Sequence, residues 1–143
     1  MRIDILWPTF ALVAIIYAVW LVMFVKRFGH IKRNPPQPAD FVSGEAAMRY
    51  FQPVEMPANN LRNLFEMPIL YFALVPLLLL THHAGHIQVA LAWIYVVLRA
   101  IHSAIHVGPN RVIPRFSVYL ASCVVLSAMW IGFAIDMASV PAG

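Results

Sequence analysis

The sequence predicts an all-α integral membrane protein, an antiparallel bundle of four transmembrane helices. Three observations carry that reading. The first is composition: 62% of the 143 residues are apolar and 11% are charged, where soluble domains average roughly 45–50% apolar and about 25% charged. The second is that the apolar residues fall into four runs, each near the ~20 residues an α-helix needs to cross a hydrocarbon core. The third is where the positive charge lies. Of the ten Lys and Arg residues, six fall between Lys26 and Arg62 and three between Arg99 and Arg115. The first and third connections are therefore basic and the second is not.

The length suits one domain, residues 1–143. The run ILWPTFALVAIIYAVWLVMFV (5–25) predicts a first span over 5–26. It is too long for a signal-peptide core, only Arg2 precedes it as a basic residue, and no small-residue cleavage site follows. Pro8 falls in the first turns, where a missing backbone N–H costs least. Residues 27–59 carry charges, glycine and five prolines, which reads as one long loop with a short helix near 43–51. The second span, 60–81, begins polar and contains Pro68 and Pro76; neighbouring helices and polar groups in a bundle re-satisfy the carbonyls that proline frees. THHAGH (81–86) is a tight turn, 87–107 the third span, VGPN (107–110) a break and 115–136 the fourth span. The positive-inside rule puts the 27–59 loop and the 107–115 turn in the cytoplasm, with both termini and the HHAGH turn outside. Cys123 is the single cysteine and forms no internal disulfide. The net charge of +4 comes without a Lys/Arg block interleaved with aromatics, so lipid headgroups, and no nucleic acid, account for the basic loop.

Charged groups within spans cost about 2.5–3.5 kcal/mol each on insertion scales, and they normally face the bundle interior. Asn59, Asn63 and Glu66 share one helical stripe, with Arg62 one residue off it and i,i+4 to Glu66. Arg99, His102 and His106 share another, with Ser103 beside it. Asn110, Arg111 and Arg115 lead into the fourth span, where Arg115, Tyr119 and Ser122 share a face. All three polar faces fall at the same end of the bundle. Blander readings stand beside a site: Arg99 and Arg111 snorkelling to headgroups, or Arg62 and Glu66 neutralising each other within one helix. The full set exceeds what a structural staple needs, and mixed guanidinium and carboxylate groups suit a zwitterionic or anionic ligand. His102 and His106 at i,i+4, with Glu66, offer up to three metal ligands, but that side has no further His or Cys cluster and no metal is expected. His82, His83 and His86 read as solvated interfacial histidines, adventitious metal being the alternative. No Ser–His–Asp arrangement is supported: Asp4 and Asp136 fall at the other membrane face, no GxSxG occurs, and GPN is a turn signal.

At NLFEMPILYFAL and LRAIHSAIHVGPNRVIPRFSVYLAS the sequence resembles the MAPEG family, the membrane-associated proteins in eicosanoid and glutathione metabolism, and most of all its bacterial branch. The resemblance covers nearly the whole chain. Its motifs are N-x-x-E-x-P from Asn63, R-x-x-H-S-x-x-H from Arg99 and N-R-x-x-x-R-F from Asn110. It implies a homotrimer that binds glutathione between neighbouring subunits near the cytoplasmic side and brings it to a lipophilic small molecule entering from the bilayer. A bacterial member sits in the inner membrane, in contact with lipids and with the possibility of a larger membrane complex. Asn63 and Glu66 match glutathione-holding positions, whereas Asn59 stands where the family carries Arg, with Arg62 as a stand-in. Arg99 and His102 match the third-span stripe, and His106 replaces a Tyr. Arg115 maps onto the Arg that activates the thiol, with Tyr119 one turn on and Asn110 before it. The implied activity is glutathione S-transferase- or peroxidase-like. Arg115 would stabilise the thiolate, and His102 or His106 would donate to a developing oxyanion. The alternative, favoured by Asn59 and His106, is a non-catalytic accessory or lipid-binding subunit that keeps the bundle.

Overall fold

A computed structural model describes residues 3–139. Arg2 and the two chain ends, whose side of the membrane the sequence assigns, lie outside the described residues. The elements are α1 (Leu6–Arg33), α2 (Gly44–Phe51), α3 (Met56–Phe65), α4 (Pro68–Leu80), α5 (His86–Val107) and α6 (Val112–Ala138), with short 3₁₀ turns at Pro38–Phe41 and Gln52–Val54. All regular structure among the described residues is helical. Four segments are long and apolar enough to cross a bilayer: α1, α3 with α4, α5 and α6.

The second and fourth spans begin a few residues before their expected starts at 60 and 115, at Met56 and Val112, and two further differences have a local reason. α1 continues to Arg33, past the expected end at residue 26. KRFGHIKR contains no proline, its basic residues at 30, 32 and 33 complement the negative end of the helix dipole, and the Asn34 N–H closes the helix on the His30 carbonyl. The second span is broken. α3 ends at Phe65 and α4 starts at Pro68. Pro68 has no N–H for the Leu64 carbonyl and its ring clashes with that carbonyl, so the helix restarts with proline in its first turn. Between α1 and α3, α2 begins where Ser43 Oγ accepts the Ala46 N–H at 3.1 Å. Arg27 of α1 pairs with both oxygens of Glu55 at 3.0 and 3.2 Å, tying the end of α1 to the start of α3.

α5 packs against α1, α3 and α6 and so forms the centre of the chain. Leu12, Leu64, Leu74, Leu78, Leu126 and Met129 are buried around it. The Tyr71 and Tyr95 rings stack at 5.2 Å, and the Tyr71 hydroxyl shares a 3.0 Å hydrogen bond with Thr9. Polar contacts fix both ends of α5. Gln88 near its start donates to the Met129 carbonyl of α6 at 3.0 Å, and Lys26 of α1 donates to the Val107 carbonyl at its end, at 3.2 Å. Large apolar side chains such as Trp7, Phe28, Ile113 and Ile135 point outward, which a bilayer tolerates and water does not.

Candidate functional site

The site begins with the turn from α5 to α6. Gly108 donates its N–H to the Ala104 carbonyl, and Asn110, in the left-handed region at φ +48°, donates its own to Ile105 at 2.7 Å. Asn is among the few non-glycine residues that adopt this backbone readily. The Asn110 side chain braces the start of α6: its Oδ1 accepts from Arg115 Nη1, while its Nδ2 faces Met56 Sδ of α3 at 3.0 Å. One turn residue therefore connects α3 to the cation that opens α6.

α5 supplies the second wall. His102 Nδ1 lies 3.1 Å from the Arg115 carbonyl. A carbonyl only accepts, so Nδ1 carries the proton and a neutral His102 keeps Nε2 as its acceptor. That Nε2 is buried without a partner among the described residues, as is Nδ1 of His106. The two imidazoles meet edge to face at 5.6 Å, and His102 lies 5.6 Å from the Tyr119 ring. Arg99 has 0% exposure. Its Nη2 donates to the Asn63 carbonyl at 3.0 Å, its guanidinium lies 5.6 Å from the Tyr119 ring centroid, and Nε and Nη1 have no partner among the described residues. The Asn63 carbonyl is available because Asn63 is in the last turn of α3, where carbonyls have no partner within the helix. The break made by Pro68 thus gives Arg99 its acceptor.

Two recesses open between these walls. The larger, about 420 Å³, is lined by Met56, Asn59, Arg62, Asn63, Glu66, His106, Asn110 and Arg115. The smaller, about 260 Å³, is lined by Asn63, His102, Val112, Arg115, Phe116 and Tyr119. Asn63 and Arg115 belong to both, so the recesses adjoin. Arg62, Asn63, Glu66, His102, His106, Asn110, Arg115 and Tyr119, all singled out from the sequence, line one or the other, and Arg99 stands behind them. The stripe of Asn59, Asn63 and Glu66 reaches the larger recess together although α3 ends at Phe65, one residue before Glu66.

Some details depart from the sequence reading. Arg62 and Glu66 do not neutralise each other: the two ion pairs among the described residues are Arg27–Glu55 and Arg49–Glu45. Arg99 does not snorkel, whereas Arg111 is exposed. Asn60, with 0% exposure, accepts from Ser103 Oγ at 3.4 Å and links α3 to α5; its signal is that Pro57, Asn60 and Leu64 share a buried face at helical spacing. Lys26 was equally unforeseen, its contact with the Val107 carbonyl depending on how α1 packs against the end of α5. Of the three turn histidines, His82 and His86 are exposed but His83 is half-buried, with its Nδ1 fully covered.

Compared with protein families, residues 5–135 match the model of the MAPEG family. The chain belongs to that family. No curated protein and no solved structure gives a significant match. As a MAPEG protein it is an integral membrane protein of a generally glutathione-related family whose members are typically trimeric. The donor set fits glutathione, which carries two carboxylates, an ammonium and a thiol. Arg62 and Arg115 present guanidinium groups to the larger recess, Glu66 a carboxylate and His106 an imidazole.

Proposed function

We propose that this MAPEG protein is a membrane enzyme that holds glutathione in the larger recess for thiol conjugation or peroxide reduction of a lipophilic substrate. It would work as an antiparallel four-helix bundle in a homotrimer, with the site near the cytoplasmic face. The observation that supports this is the convergence of Arg62, Arg115, Glu66, Asn63 and His106 on one recess of about 420 Å³, within the roughly 300–1,000 Å³ of small-molecule sites. Glutathione supplies the nucleophile, a thiol whose ordinary pKa is near ~8.5. Everything else is done by the chain. Arg115, held by Asn110 and by His102 through its carbonyl, favours the thiolate by its charge. Glu66 accepts the ammonium, Arg62 takes a carboxylate bidentately, and Asn63, which belongs to both recesses, orients the ligand toward the smaller one. Phe116 and Val112 give that smaller recess an apolar side suited to a lipophilic electrophile. His106, which lines the larger recess, donates to a developing oxyanion. Arg99 is a positioning residue acting through Asn63 and Tyr119.

The second reading, a non-catalytic accessory or lipid-binding subunit, rests on Asn59 and His106 at two of the lining positions. Calorimetry in detergent and turnover of a generic aryl-halide electrophile separate the two. The wild type binds glutathione, and Glu66→Ala weakens binding about tenfold or more, as loss of a charge-assisted hydrogen bond does. Binding without turnover favours the accessory reading; no binding by the intact protein ends the proposal.

A further inference from the structure

Six of the nine buried side-chain nitrogens and oxygens without a partner among the described residues belong to α5 and the face of α3 packed on it. They are Asn60 Nδ2, Tyr95 Oη, Arg99 Nε and Nη1, His102 Nε2 and His106 Nδ1. The α5 residues among them, Tyr95, Arg99, His102 and His106, recur at intervals of four, three and four and so form one helical stripe. At 1.5 Å per residue the stripe is roughly 16 Å long. It is continuous through its contacts: His106 meets His102 at 5.6 Å, His102 meets the Tyr119 ring at 5.6 Å, and Arg99 lies 5.6 Å from the same ring.

The residues around the stripe are already committed. Gln88 to Met129 and His102 to Arg115 set the antiparallel register of α5 and α6, which places Arg99 opposite Tyr119 and Tyr95 opposite Ser122 and Cys123. Ser122 Oγ donates to the Tyr119 carbonyl at 2.7 Å, the Asn63 carbonyl takes one Arg99 nitrogen, and Asn60 Oδ1 takes Ser103. Cys123 offers only a thiol, a weak hydrogen-bonding group. Left dry, six such atoms would together cost about as much as the whole stability of a typical domain. Their needs are also mixed. Arg99 and Asn60 present N–H groups, His102 Nε2 accepts because its proton is on Nδ1, and a phenol does either. Water, which makes two to four hydrogen bonds at such places, meets both needs.

We infer that a column of bound water follows this stripe from the floor of the two recesses to Tyr95 in the middle of α5. His106 lines the larger recess and His102 the smaller, so the column joins them. The residues opposite are short, Asn60 and Asn63 on α3 and Ser122 and Cys123 on α6, which leaves width along the stripe. Tyr71 closes it: its ring stacks on Tyr95, but its hydroxyl is bonded to Thr9. Imidazole, phenol and water each donate and accept, so the column exchanges protons with the recesses whatever ligand they hold, glutathione or another.

X-ray radiolysis of the full-length protein in lipid nanodiscs, with side-chain oxidation read by mass spectrometry, tests this. The hydroxyl radical forms from water touching the ring, and Tyr71 is the internal standard, a tyrosine with the same 0% exposure as Tyr95 but a satisfied hydroxyl. Tyr95 is expected to oxidise about tenfold faster than Tyr71 or more, since only its ring touches bound water. Arg99→Met, which removes two of the unmatched nitrogens, brings Tyr95 down towards the Tyr71 rate. The melting temperature of Tyr95→Phe stays level or falls, because its hydroxyl is matched by water. Equal rates for Tyr71 and Tyr95 in the wild type overturn the inference, as does a rise in melting temperature for Tyr95→Phe, the mark of a dry hydroxyl; neither measurement needs Arg99→Met to fold. A Tyr95 rate unchanged in folded Arg99→Met also overturns it, since water would then reach the ring by another route. Stabilisation by chloride over gluconate, with Tyr95 unlabelled, overturns it in favour of an anion beside Arg99.

Discussion

His82 and Arg99 show how single residues carry strain and order at opposite ends of the bundle. His82 has φ +62° and occupies the position after the α4 cap that glycine fills in most Schellman motifs. An L-residue in this region costs about 1–2 kcal/mol, partly regained by the capping bonds. The His82 side chain is exposed, so His82→Gly loses little packing. The variant is expected to be stabilised by about 1 kcal/mol, seen as a rise of a few degrees in the melting temperature of the detergent-solubilised protein. A fall in melting temperature would show that the imidazole makes contacts worth more than the strain. Arg99 is the reverse case, a guanidinium at 0% exposure with one hydrogen bond, to Asn63, and two nitrogens without partners among the described residues. A group so placed adds little net stability, and its effect lies in fixing Asn63 and Tyr119. Arg99→Met keeps the length and apolar stem. The melting temperature should therefore hold within a few degrees while glutathione affinity drops about tenfold, the loss of one hydrogen bond to a charged group. Collapse of the fold would make Arg99 a structural strut.

At the level of elements, the turn between α5 and α6 sets the site, and Gly108 is its least replaceable residue. A Cβ there would lie 2.9 Å from the Ala104 carbonyl oxygen, a backbone atom that cannot move aside without distorting the end of α5. Overpacking of this kind costs about 1–3 kcal/mol, so Gly108→Ala should destabilise the protein by that amount. Because Asn110 and Arg115 come next in the chain, glutathione affinity should fall in parallel, measured by thermal melting and calorimetry on one preparation. Unchanged binding would detach the recess from the turn. The same elements show what the sequence made legible. Four apolar runs near bilayer length left little freedom, since backbone polar groups in lipid must be satisfied within helices. The polar stripes were legible because 3.6-residue periodicity places Arg99, His102 and His106 on one face. What stayed hidden depended on tertiary context. Hydropathy ends at Val25, but a charged segment without proline continues as helix to Arg33. Pro68 was visible, yet whether a proline bends or breaks a span depends on what receives the freed carbonyls, and here Arg99 receives that of Asn63. Asn60 lay beside the stronger stripe of Asn59, Asn63 and Glu66, and only packing against Ser103 shows it to be buried.

For the whole molecule, the governing asymmetry is charge. The described lysines and arginines gather at the end that holds the α5–α6 turn, and the α4–α5 turn at the other end has none. Arg62 and Glu66 are exposed at the basic end, open to a neighbouring subunit or to solvent, and the recess of Gln88 and Asp136 lies at the other end. The positive-inside rule converts this asymmetry into an orientation: basic connections are retained in the cytoplasm because moving Lys and Arg across the membrane is disfavoured during insertion. Under the proposed orientation and function, the larger recess would open to the compartment where glutathione is kept reduced. Cysteine labelling reads this directly. In a Cys123→Ser background, Val42→Cys places a thiol on a residue that is 77% exposed in the basic connection. Gly85→Cys places one in the α4–α5 turn, where a side chain meets nothing within 4 Å. A membrane-impermeant maleimide should label Gly85→Cys in intact cells and Val42→Cys only after the membrane is opened or inverted. The opposite pattern would reverse the orientation and put the glutathione recess outside, and labelling of both in intact cells would mean that the charge asymmetry does not fix a single topology.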